Sequence, residues 1–540
     1  MTHLAGGRTT GVVAALVVLA CFVPRVVAAE KGNKPDPASE FFDHGPLPRL
    51  HIEIAPPELD KLRQNPRAYV TCTVRESLPG ADGETVYQPV GVHLKGGAGS
   101  FRGVDDRPGL TLNFRRFTNG QTFHGLGRFH LNNSVQDSTY MSENLGNALF
   151  RDAGVPAARV TYARAWINGR DLGVMVLKEA FDDGFLKQFF DGPRGTLYEG
   201  GFCADIDAGI SERVNPANKK PEKVKELIEA CNENDVAARR RKLAAAVDVE
   251  RFMSFMAVEA LTAHWDGYCS QVNNYRVYHD PASDRLIFLP HGTDQLFGND
   301  GFPLVLEHGM VARAIATDPE ARARYLDRLT ELRRKVFTPD NLNRTLDAIS
   351  ARLAPLMAEV GDGDARRHKE QTESLRRRLL DRAESVDRML AALPRPLKFG
   401  GDGVASLAGA QWSPQRGGGN ATLDRPDEAG RPLLHVRSDG GGESIASFRT
   451  TVLLTRGSYT FEGRCRTSGV TTPQGQNAGA GLRISGARRD EGFAGNGDWK
   501  PAFKFEVADP AREVVLVCEL RAGAGEAWFD LDSLKLRRAD

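Results

Sequence analysis

Two prolines, Pro394 and Pro396, separate two parts of the chain that have different sequence patterns. Beyond residue 404, short apolar runs alternate with glycine-rich turns, which is typical of an all-β sandwich. Before the prolines, strand patterns and long helical periodicities are mixed, which predicts an α+β part. We expect strands over 48–114 and helices over 138–152, 249–264 and 310–393, with domains at 48–393 and 404–540 and linkers at 30–47 and 394–403.

Composition restricts what the chain can bind. The 71 lysines and arginines balance 70 aspartates and glutamates, so the formal charge of +1 predicts no general attraction to nucleic acid or anionic membranes. A hydrophobic content of 41% over 540 residues is sufficient for two or three packed domains. The arginine-rich run at 366–382 is interrupted by acidic residues, and we interpret it as the solvated face of a helix.

The amino terminus has the pattern of a secretory signal. Arg8 precedes an apolar stretch over 11–23, and small residues end at Ala29, so we predict a signal over 1–29 and an exported protein without a membrane span after cleavage. Six cysteines remain after cleavage, which permits disulfides in an exported chain. The two pairings considered are Cys203 with Cys231 and Cys465 with Cys518.

Asp266, Asn274 and Asp294 gather around one predicted β-hairpin. Alternating residues at 275–279 and an apolar run at 286–289 flank a turn, and this register sets Asn274 opposite roughly Pro290. Two carboxylates and an amide can hold a divalent cation and leave one carboxylate to orient an attacking hydroxyl. Phosphoryl transfer needs such a set. The alternative is that the three residues cap turns, as Asp and Asn often do.

The residues around this hairpin resemble the CotH family of atypical protein kinases, named after spore coat protein H. The resemblance covers about residues 88–300 and follows one order along the chain. It is carried by KGGAGSF (95–101), LTLNF (110–114), DSTYMSENLGNALFRDAGVPAARV (137–160), WINGRDLGVMVLKE (166–179), LYEGG (197–201), WDGY (265–268), NNYRVY (273–278) and PHGTDQLFG (290–298).

This resemblance implies a two-lobed, kinase-like α+β core that uses ATP and Mg²⁺ or Mn²⁺ to phosphorylate a protein hydroxyl. Asp266 corresponds to the catalytic aspartate, and Asn274 and Asp294 correspond to the metal ligands. Glu143 would pair with a phosphate-binding cation, although its position in the helix is otherwise that of a solvated carboxylate. The remaining residues assigned to the nucleotide are Lys95, Gly96, Gly97, Gly99, Ser100, Arg107 and Glu179.

Several of these assignments have alternatives. The glycine segment can cradle phosphate or can be a tight connection. Glu179 would contact ribose or end a strand in solvent. Many relatives carry two acids where this chain has Gly292 and Asp294, and a lysine near the position of Arg107, so the phosphate-binding cation would be Arg107 or Lys95. A non-catalytic envelope or surface scaffold, or a nucleotidyl transferase, would fit the same ancestry.

The carboxyl-terminal part resembles the jelly-roll carbohydrate-binding modules of secreted proteins. The resemblance is one of architecture and of the closing segment WFDLDSLKL at 528–536. Trp412, Trp499 and Trp528 are available to stack on sugars, which implies polysaccharide as a possible partner. The alternative is that these tryptophans belong to the sandwich core.

Overall fold

A closed sheet of seven strands forms the first lobe. The computed structural model describes residues 36, 38–191, 194–214, 221–394, 396–472, 478–487 and 492–539, so the predicted signal lies outside the described residues. The strands are β1 (Arg49–Glu53), β2 (Val70–Ser77), β3 (Thr85–Lys95), β4 (Gly109–Asn113), β5 (Arg128–Asn132), β6 (Val160–Ile167) and β7 (Arg170–Glu179). Their order is β1-β2-β3-β4-β5-β7-β6, and a parallel pairing of β1 with β6 closes the sheet.

Three helices accompany this sheet: α1 (Ser39–Asp43), α2 (Pro56–Gln64) and α3 (Ser142–Asp152). Helix α1 lies within the segment predicted as a linker, and its Phe41 and Phe42 are buried in the core of the lobe. Helix α3 begins four residues later than predicted. The Asp137 carboxylate nevertheless accepts a hydrogen bond from the Ser142 N–H (2.9 Å), which satisfies a donor at the start of the helix.

The second lobe is mainly helical. Its four-stranded sheet has the order β11-β10-β8-β9 and consists of β8 (Leu197–Glu199), β9 (Ser211–Val214), β10 (Tyr275–Asp280) and β11 (Arg285–Pro290). Its helices are α4 (Asp183–Phe189), α5 (Pro221–Cys231), α6 (Val236–Ala246), α7 (Val249–Leu261), α8 (Tyr268–Gln271), α9 (Met310–Ala316), α10 (Pro319–Lys335), α11 (Pro339–Val360) and α12 (Asp362–Ala392). In the part of the chain that the structure describes, none of the helices is long and apolar enough to cross a bilayer.

Helix α7 is fixed at both ends. Asp248 caps its first turn by accepting from the Arg251 N–H (3.1 Å), as its sequence position favours. At the other end, the buried Arg382 of α12 donates to the carbonyl oxygens of Ala260 (2.6 Å) and Leu261 (3.2 Å). The prediction that the arginine-rich run is wholly solvated is therefore wrong for Arg382, which donates to carbonyl oxygens at the end of the helix.

The carboxyl-terminal part is a sandwich of two antiparallel sheets around one apolar core. One sheet has the order β12-β23-β17-β21-β19 with β13 paired to β17, and the other has the order β14-β16-β22-β18-β20 with β15 paired to β16. The strands are β12 (Val404–Ser406), β13 (Ser413–Gly418), β14 (Ala421–Asp424), β15 (Asp427–Glu428), β16 (Arg431–Ser438), β17 (Ser444–Glu462), β18 (Cys465–Thr471), β19 (Gly479–Ile484), β20 (Gly495–Trp499), β21 (Ala502–Ala522), β22 (Ala524–Asp530) and β23 (Lys535–Ala539).

Two sequence alternatives are decided in this region. Trp412 is a core residue, only 2% exposed, so it is not a platform for sugars. The six cysteines that the structure describes are free thiols, and neither of the two pairings considered from the sequence is formed. Cys465 and Cys518 lie in different sheets of the sandwich.

Candidate active site

Asp266 lies in the loop that follows α7 and is held by two asparagines. Its carboxylate oxygens accept hydrogen bonds from Asn273 Nδ2 (3.0 Å) and Asn274 Nδ2 (2.7 Å). Asn274 Nδ2 also donates to the main-chain oxygen of Asp266 (3.0 Å). The hairpin pairs Tyr275 with Pro290, one residue from the predicted register, and so places Asn274 at its open end. The orientation of the Asp266 carboxylate is therefore set by its neighbours.

Gly292 brings the segment that carries Asp294 against Asn274. The His291 N–H donates to the Asn274 carbonyl oxygen (2.9 Å), and Gly292 has a φ of +56°. A Cβ atom at position 292 would lie 2.3 Å from Asn274 Oδ1, far inside van der Waals contact. An acid at position 292 would therefore displace the Asn274 amide. The same contact shows that Asn274 Oδ1 faces this segment while Nδ2 faces Asp266.

A buried histidine and a buried glutamate also hold the loop. His264 Nε2 donates to the Gly292 carbonyl oxygen (3.2 Å), which joins the loop of Asp266 to the segment of Asp294. The Glu259 carboxylate accepts from the N–H groups of Tyr268 (2.9 Å) and Cys269 (2.8 Å). Since both side chains are fully buried, the loop is supported from the core side.

The opposite side of the site is a chain of charges around α3. Glu143 is buried and forms an ion pair with Lys178 of β7, with Nζ and Oε1 2.6 Å apart. Its other oxygen accepts a hydrogen bond from Asn132 Nδ2, and Asn132 Oδ1 accepts one from Lys95 Nζ. Glu143 is thus connected to two lysines, one directly and one through an amide. From the sequence we expected Arg107 or Lys95 as the partner of Glu143, and we did not identify Lys178.

The charges of these groups also influence the pKa of the Asp294 carboxyl group. Burial raises the pKa of the Asp294 carboxyl group, and the negative charge of Glu143 raises it further. Burial also favours a higher pKa for Glu143, but the ammonium groups of Lys178 and Lys95 outweigh it and lower that pKa. Burial lowers the pKa of Lys95 to about 8 despite the attraction of Glu143. A carboxylate whose charge is opposed in this way gains most from a bound cation.

Two histidines at the same site are kept neutral. Burial lowers the pKa of His130 well below its ordinary value, and so do the charges of Lys95, Arg128 and Lys178. Burial likewise lowers the pKa of His291, and the positive charge of Arg276 lowers it further. With both rings neutral, the positive charge around Glu143 comes from Lys95 and Lys178.

The glycine segment forms a self-bonded turn. The N–H groups of Ser100 (3.2 Å) and Phe101 (3.0 Å) donate to the Gly97 carbonyl oxygen, while the Gly97 N–H donates to Ser100 Oγ (3.0 Å). Gly96 and Gly99 have positive φ angles of +113° and +79°. Three amides of the segment are therefore engaged internally, and a phosphate cradle would draw on its other amides.

Arg107 and Glu179 have their own protein partners. One guanidinium nitrogen of Arg107 donates to Tyr140 Oη (3.1 Å) and to the Val174 carbonyl oxygen (2.6 Å), which ties it to the sheet. Glu179 is 1% exposed and forms an ion pair with Arg159, at 2.7 Å between Nη2 and Oε1. The alternative that Glu179 ends a strand in solvent is therefore wrong. Its role toward ribose stays a prediction.

The site offers side-chain oxygens of the kind that a magnesium-like ion binds. Asn274 Oδ1 and the Asp294 carboxylate supply two protein oxygens on neighbouring segments. Mg²⁺ retains waters and takes phosphate oxygens, so one or two protein ligands are enough for it. Within the described residues, no cluster of three or more His, Cys, Asp or Glu side chains forms a protein-only cage. The residues present fit an ion that arrives with a phosphate-bearing substrate.

The sequence contains one signal for Lys178, the cation that the prediction missed. Lys178 follows the apolar run 174–177 of β7, and its side chain is 2% exposed. A lysine in a buried strand position needs a buried anion as a partner. The position of Asn132 carried no comparable signal, because an asparagine at the end of a strand is common in turns.

Comparison with known proteins identifies the family. The model described as "CotH kinase protein" matches residues 95–383, more than half of the chain, and the chain belongs to this family. It is 26% identical over 268 residues to invasin CotH2 of Rhizopus delemar, covering 43% of this chain but only 45% of that protein. It is 20% identical to inner spore coat protein H of Bacillus subtilis, over 45% of this chain and 72% of that protein.

Among solved structures, the chain is similar to the Helicobacter pylori proinflammatory kinase CtkA. The similarity covers 56% of this chain and 97% of that chain, at 10% identity and a TM-score of 0.28.

Proposed function

We propose that this protein is an exported CotH-type protein kinase that transfers the γ-phosphate of ATP to a serine or threonine hydroxyl of a protein. In this proposal the first two lobes adopt a kinase-like arrangement, and Mg²⁺ or Mn²⁺ accompanies the nucleotide. We also propose that the strands of the carboxyl-terminal sandwich are connected as in a jelly roll. Membership of the CotH kinase family supports it.

Asp266 is the proposed catalytic base. Its carboxylate would accept the proton of the acceptor hydroxyl as that oxygen forms a bond to the γ-phosphorus. The bond between the γ-phosphorus and the bridging oxygen breaks, and ADP leaves. The hydrogen bonds from Asn273 and Asn274 hold the carboxylate in one orientation, which a general base needs.

Asn274 and Asp294 would hold the metal ion, which neutralises charge on the transferred phosphate. Lys178 and Lys95 would supply positive charge toward the other phosphates, with Glu143 fixing Lys178 in place. A bound cation beside Asp294 would offset the repulsion from Glu143 and so lower the pKa of Asp294 again.

One observation supports the proposal most strongly: two separate sets of side chains act on the segment that contains Asp294. The charge of Glu143, with its two lysines, acts on the Asp294 carboxyl group. Two residues earlier, Gly292 is packed against the Asn274 amide that holds Asp266. The residues proposed as base, metal ligands and phosphate-binding groups are therefore all linked to the segment that contains Gly292 and Asp294.

Two alternative functions differ from a protein kinase, and the assay below distinguishes them. A nucleotidyl transferase would use the same nucleotide site but would transfer the α-phosphorus with its nucleoside. A non-catalytic envelope or surface scaffold would transfer nothing and would act by binding polysaccharide through the sandwich. Export follows in this proposal from the signal predicted over residues 1–29.

The test is incubation of the purified protein and a generic protein acceptor with ATP labelled separately at the γ and α positions, with Mg²⁺ or Mn²⁺. We expect transfer of the γ label alone, and its loss in Asp266→Ala and Asp294→Ala. Asp300→Ala, a change at an aspartate that follows the site segment, is the matched control and should retain transfer. Transfer of the α label would identify a nucleotidyl transferase, and absence of any label would favour the scaffold.

A further inference from the structure

Arg382 lies deep in the second lobe, behind the two segments that meet at the candidate active site. Helix α12, which carries it, packs into the apolar core of that lobe through Leu379 and Val386. The Arg382 side chain is 1% exposed, and burial lowers the pKa of its guanidinium group to about 10, so the group is charged at neutral pH. A charge at this depth requires polar partners.

The partners of Arg382 are carbonyl oxygens from both of these segments. Its Nε and Nη2 atoms donate to the main-chain oxygens of the last two residues of α7, just before the loop of Asp266. Its Nη1 atom donates to the main-chain oxygen of Asp300 (2.6 Å), in the segment that follows Asp294. The forked guanidinium group therefore joins the loop of the proposed base to the segment of the proposed metal ligand.

The segment that follows Asp294 also has two contacts closer to that carboxylate. The Phe297 N–H donates to the carbonyl oxygen of Thr262 (2.8 Å), the residue directly after α7. Leu296 packs on Gly146 of α3 so closely that a Cβ atom at position 146 would overlap it. The segment is therefore packed between α3 and the end of α7, and Arg382 holds its far end.

The sequence of this segment excludes one common way of fixing its position. Residues 295–309 contain no serine, threonine or tyrosine, and residues 264–266 are His-Trp-Asp where the protein-kinase signature is His-Arg-Asp. In regulated kinases, a phosphorylated residue of the corresponding segment pairs with arginine and orders the segment. This segment has no residue to phosphorylate, and Arg382 instead binds its main chain directly.

We propose that Arg382 is a positioning residue of the phosphoryl-transfer site, which holds the metal ligand Asp294 in place relative to the base Asp266. The inference rests on the proposed kinase function, which assigns those two roles. Arg382 acts through the main chain, since its hydrogen bonds end at carbonyl oxygens and not at either carboxylate. Without the guanidinium group the two segments can shift, and a displacement of about 1 Å can lower the rate about a hundredfold.

Arg333 of α10 provides a matched control. Its side chain is also largely buried, at 11% exposure, and it donates to the carbonyl oxygens of Ala383 (3.2 Å) and Phe337 (2.8 Å). It also donates to the Asp387 carboxylate (2.7 Å). These partners lie in α12 and just after α10, outside both segments of the site. Arg333→Met therefore removes a buried arginine with main-chain partners but leaves the two segments joined.

The test measures γ-phosphate transfer by the purified protein as a function of free Mg²⁺ concentration, at saturating ATP, together with the melting temperature of each variant. Arg382→Met should raise the Mg²⁺ concentration for half-maximal transfer at least about fivefold and lower kcat at least about tenfold. Arg333→Met should lower the melting temperature similarly and leave the Mg²⁺ requirement unchanged. A merely structural role of Arg382 would lower the melting temperature without changing the Mg²⁺ requirement.

Arg382→Lys keeps a positive charge at this position and is the variant to measure if Arg382→Met does not fold. A single ammonium group lacks the two branches of the guanidinium fork, so it does not bridge the two segments in the same way. We expect a Mg²⁺ requirement between those of the unaltered protein and Arg382→Met, at a melting temperature above that of Arg382→Met.

Two results would overturn this role of Arg382 and leave the kinase proposal intact. One is an unaltered Mg²⁺ requirement and kcat in the folded Arg382 variants. The other is an equal rise of the Mg²⁺ requirement in Arg382→Met and Arg333→Met. Absence of transfer by the unaltered protein would instead contradict the proposed kinase function, and this role of Arg382 with it.

Discussion

The first lobe and the sandwich each pair an arginine or lysine with a glutamate, but in opposite surroundings. Lys178 and Glu143 are both under 5% exposed, whereas Arg466 and Glu428 are each nearly half exposed. Water screens the outer pair, so its loss should cost little stability. Water does not screen the buried pair, and the geometry of that pair is fixed by the fold. The comparison separates an ion pair that the fold holds in place from one that contributes little to stability.

The largest expected effect is the loss of one partner of the buried pair. Lys178→Met leaves the Glu143 carboxylate buried with only Lys95 to compensate it, through Asn132. Breaking a buried pair in this way costs about 3–5 kcal/mol. We expect the free energy of unfolding, measured by urea denaturation, to fall by that order. Phosphoryl transfer should be lost as well.

The double variant Lys178→Met with Glu143→Gln distinguishes stability from function. It removes the uncompensated charge, so part of the stability should return while transfer stays absent. Recovery of transfer in the double variant would contradict a role for Lys178 at the phosphates.

A second effect concerns Gly292. Gly292→Ala places a Cβ atom against Asn274 Oδ1 and so turns the amide away from Asp266. Gly154 also has a positive φ, of +81°, but has open space around its Cβ position, which makes Gly154→Ala a matched control for backbone strain. Both variants should lose about 1 kcal/mol of stability from that strain.

We expect kcat to fall at least tenfold in Gly292→Ala alone, since misplaced catalytic groups cost rate steeply. Equal losses of kcat in the two glycine variants would show that strain, and not the Asn274 contact, is responsible.

The third effect is a pH dependence at the second lysine. Because burial lowers the pKa of Lys95 from 10.5 to about 8, its ammonium charge is lost as the pH rises through about 8. We expect kcat/KM to decline over that range. In Lys95→Arg the charge persists, so the alkaline decline should move to higher pH. An unchanged profile in Lys95→Arg would exclude Lys95 as the titrating group.

Titration of Lys95 should also change the free energy of unfolding, in the direction opposite to the change in kcat/KM. Between pH 8 and 10.5 the unfolded chain holds the Lys95 proton more tightly than the folded one. Stability therefore gains from this group as the pH rises through that window.

The smallest effect belongs to the exposed pair of the sandwich. Glu428→Gln removes the partner of Arg466 in a solvated setting. We expect no measurable change in the melting temperature and no change in transfer. A large drop in melting temperature would show that the outer-face pair is structural, and the contrast with Lys178 and Glu143 would disappear.

The sequence predicted a good part of this structure because several local signals agree with tertiary packing. Asp248 before an apolar stretch marked the start of α7 at its observed position, and the hairpin register was within one residue. The sandwich strands followed from alternation and glycine turns. Helix α1 was missed because five residues give too short a period to detect, although Phe41 and Phe42 are buried.

The site was harder to predict because long-range pairing decides it. Arg107 and Lys178 are both cations next to apolar strands, and only the folded sheet reveals which one reaches Glu143. Arg382 lies in a run of charged residues, but it is buried because the end of α7 exposes carbonyl groups to it. The internal hydrogen bonds of the glycine segment depend on the Ser100 hydroxyl and cannot be read from the glycine spacing.

The most direct test of the central claim separates nucleotide binding from transfer in three variants. Calorimetric titration with ATP and Mg²⁺ should show binding by the unaltered protein and by Asp266→Asn, and strongly weakened binding by Asp294→Asn and Lys178→Met. Label transfer from γ-labelled ATP should be absent in Asp294→Asn and Lys178→Met, and it should fall at least about a hundredfold in Asp266→Asn, as expected for the loss of a general base. Transfer by Asp266→Asn at the unaltered rate, or equal ATP affinity in all four proteins, would contradict a catalytic site built from Asp266, Asp294 and Lys178.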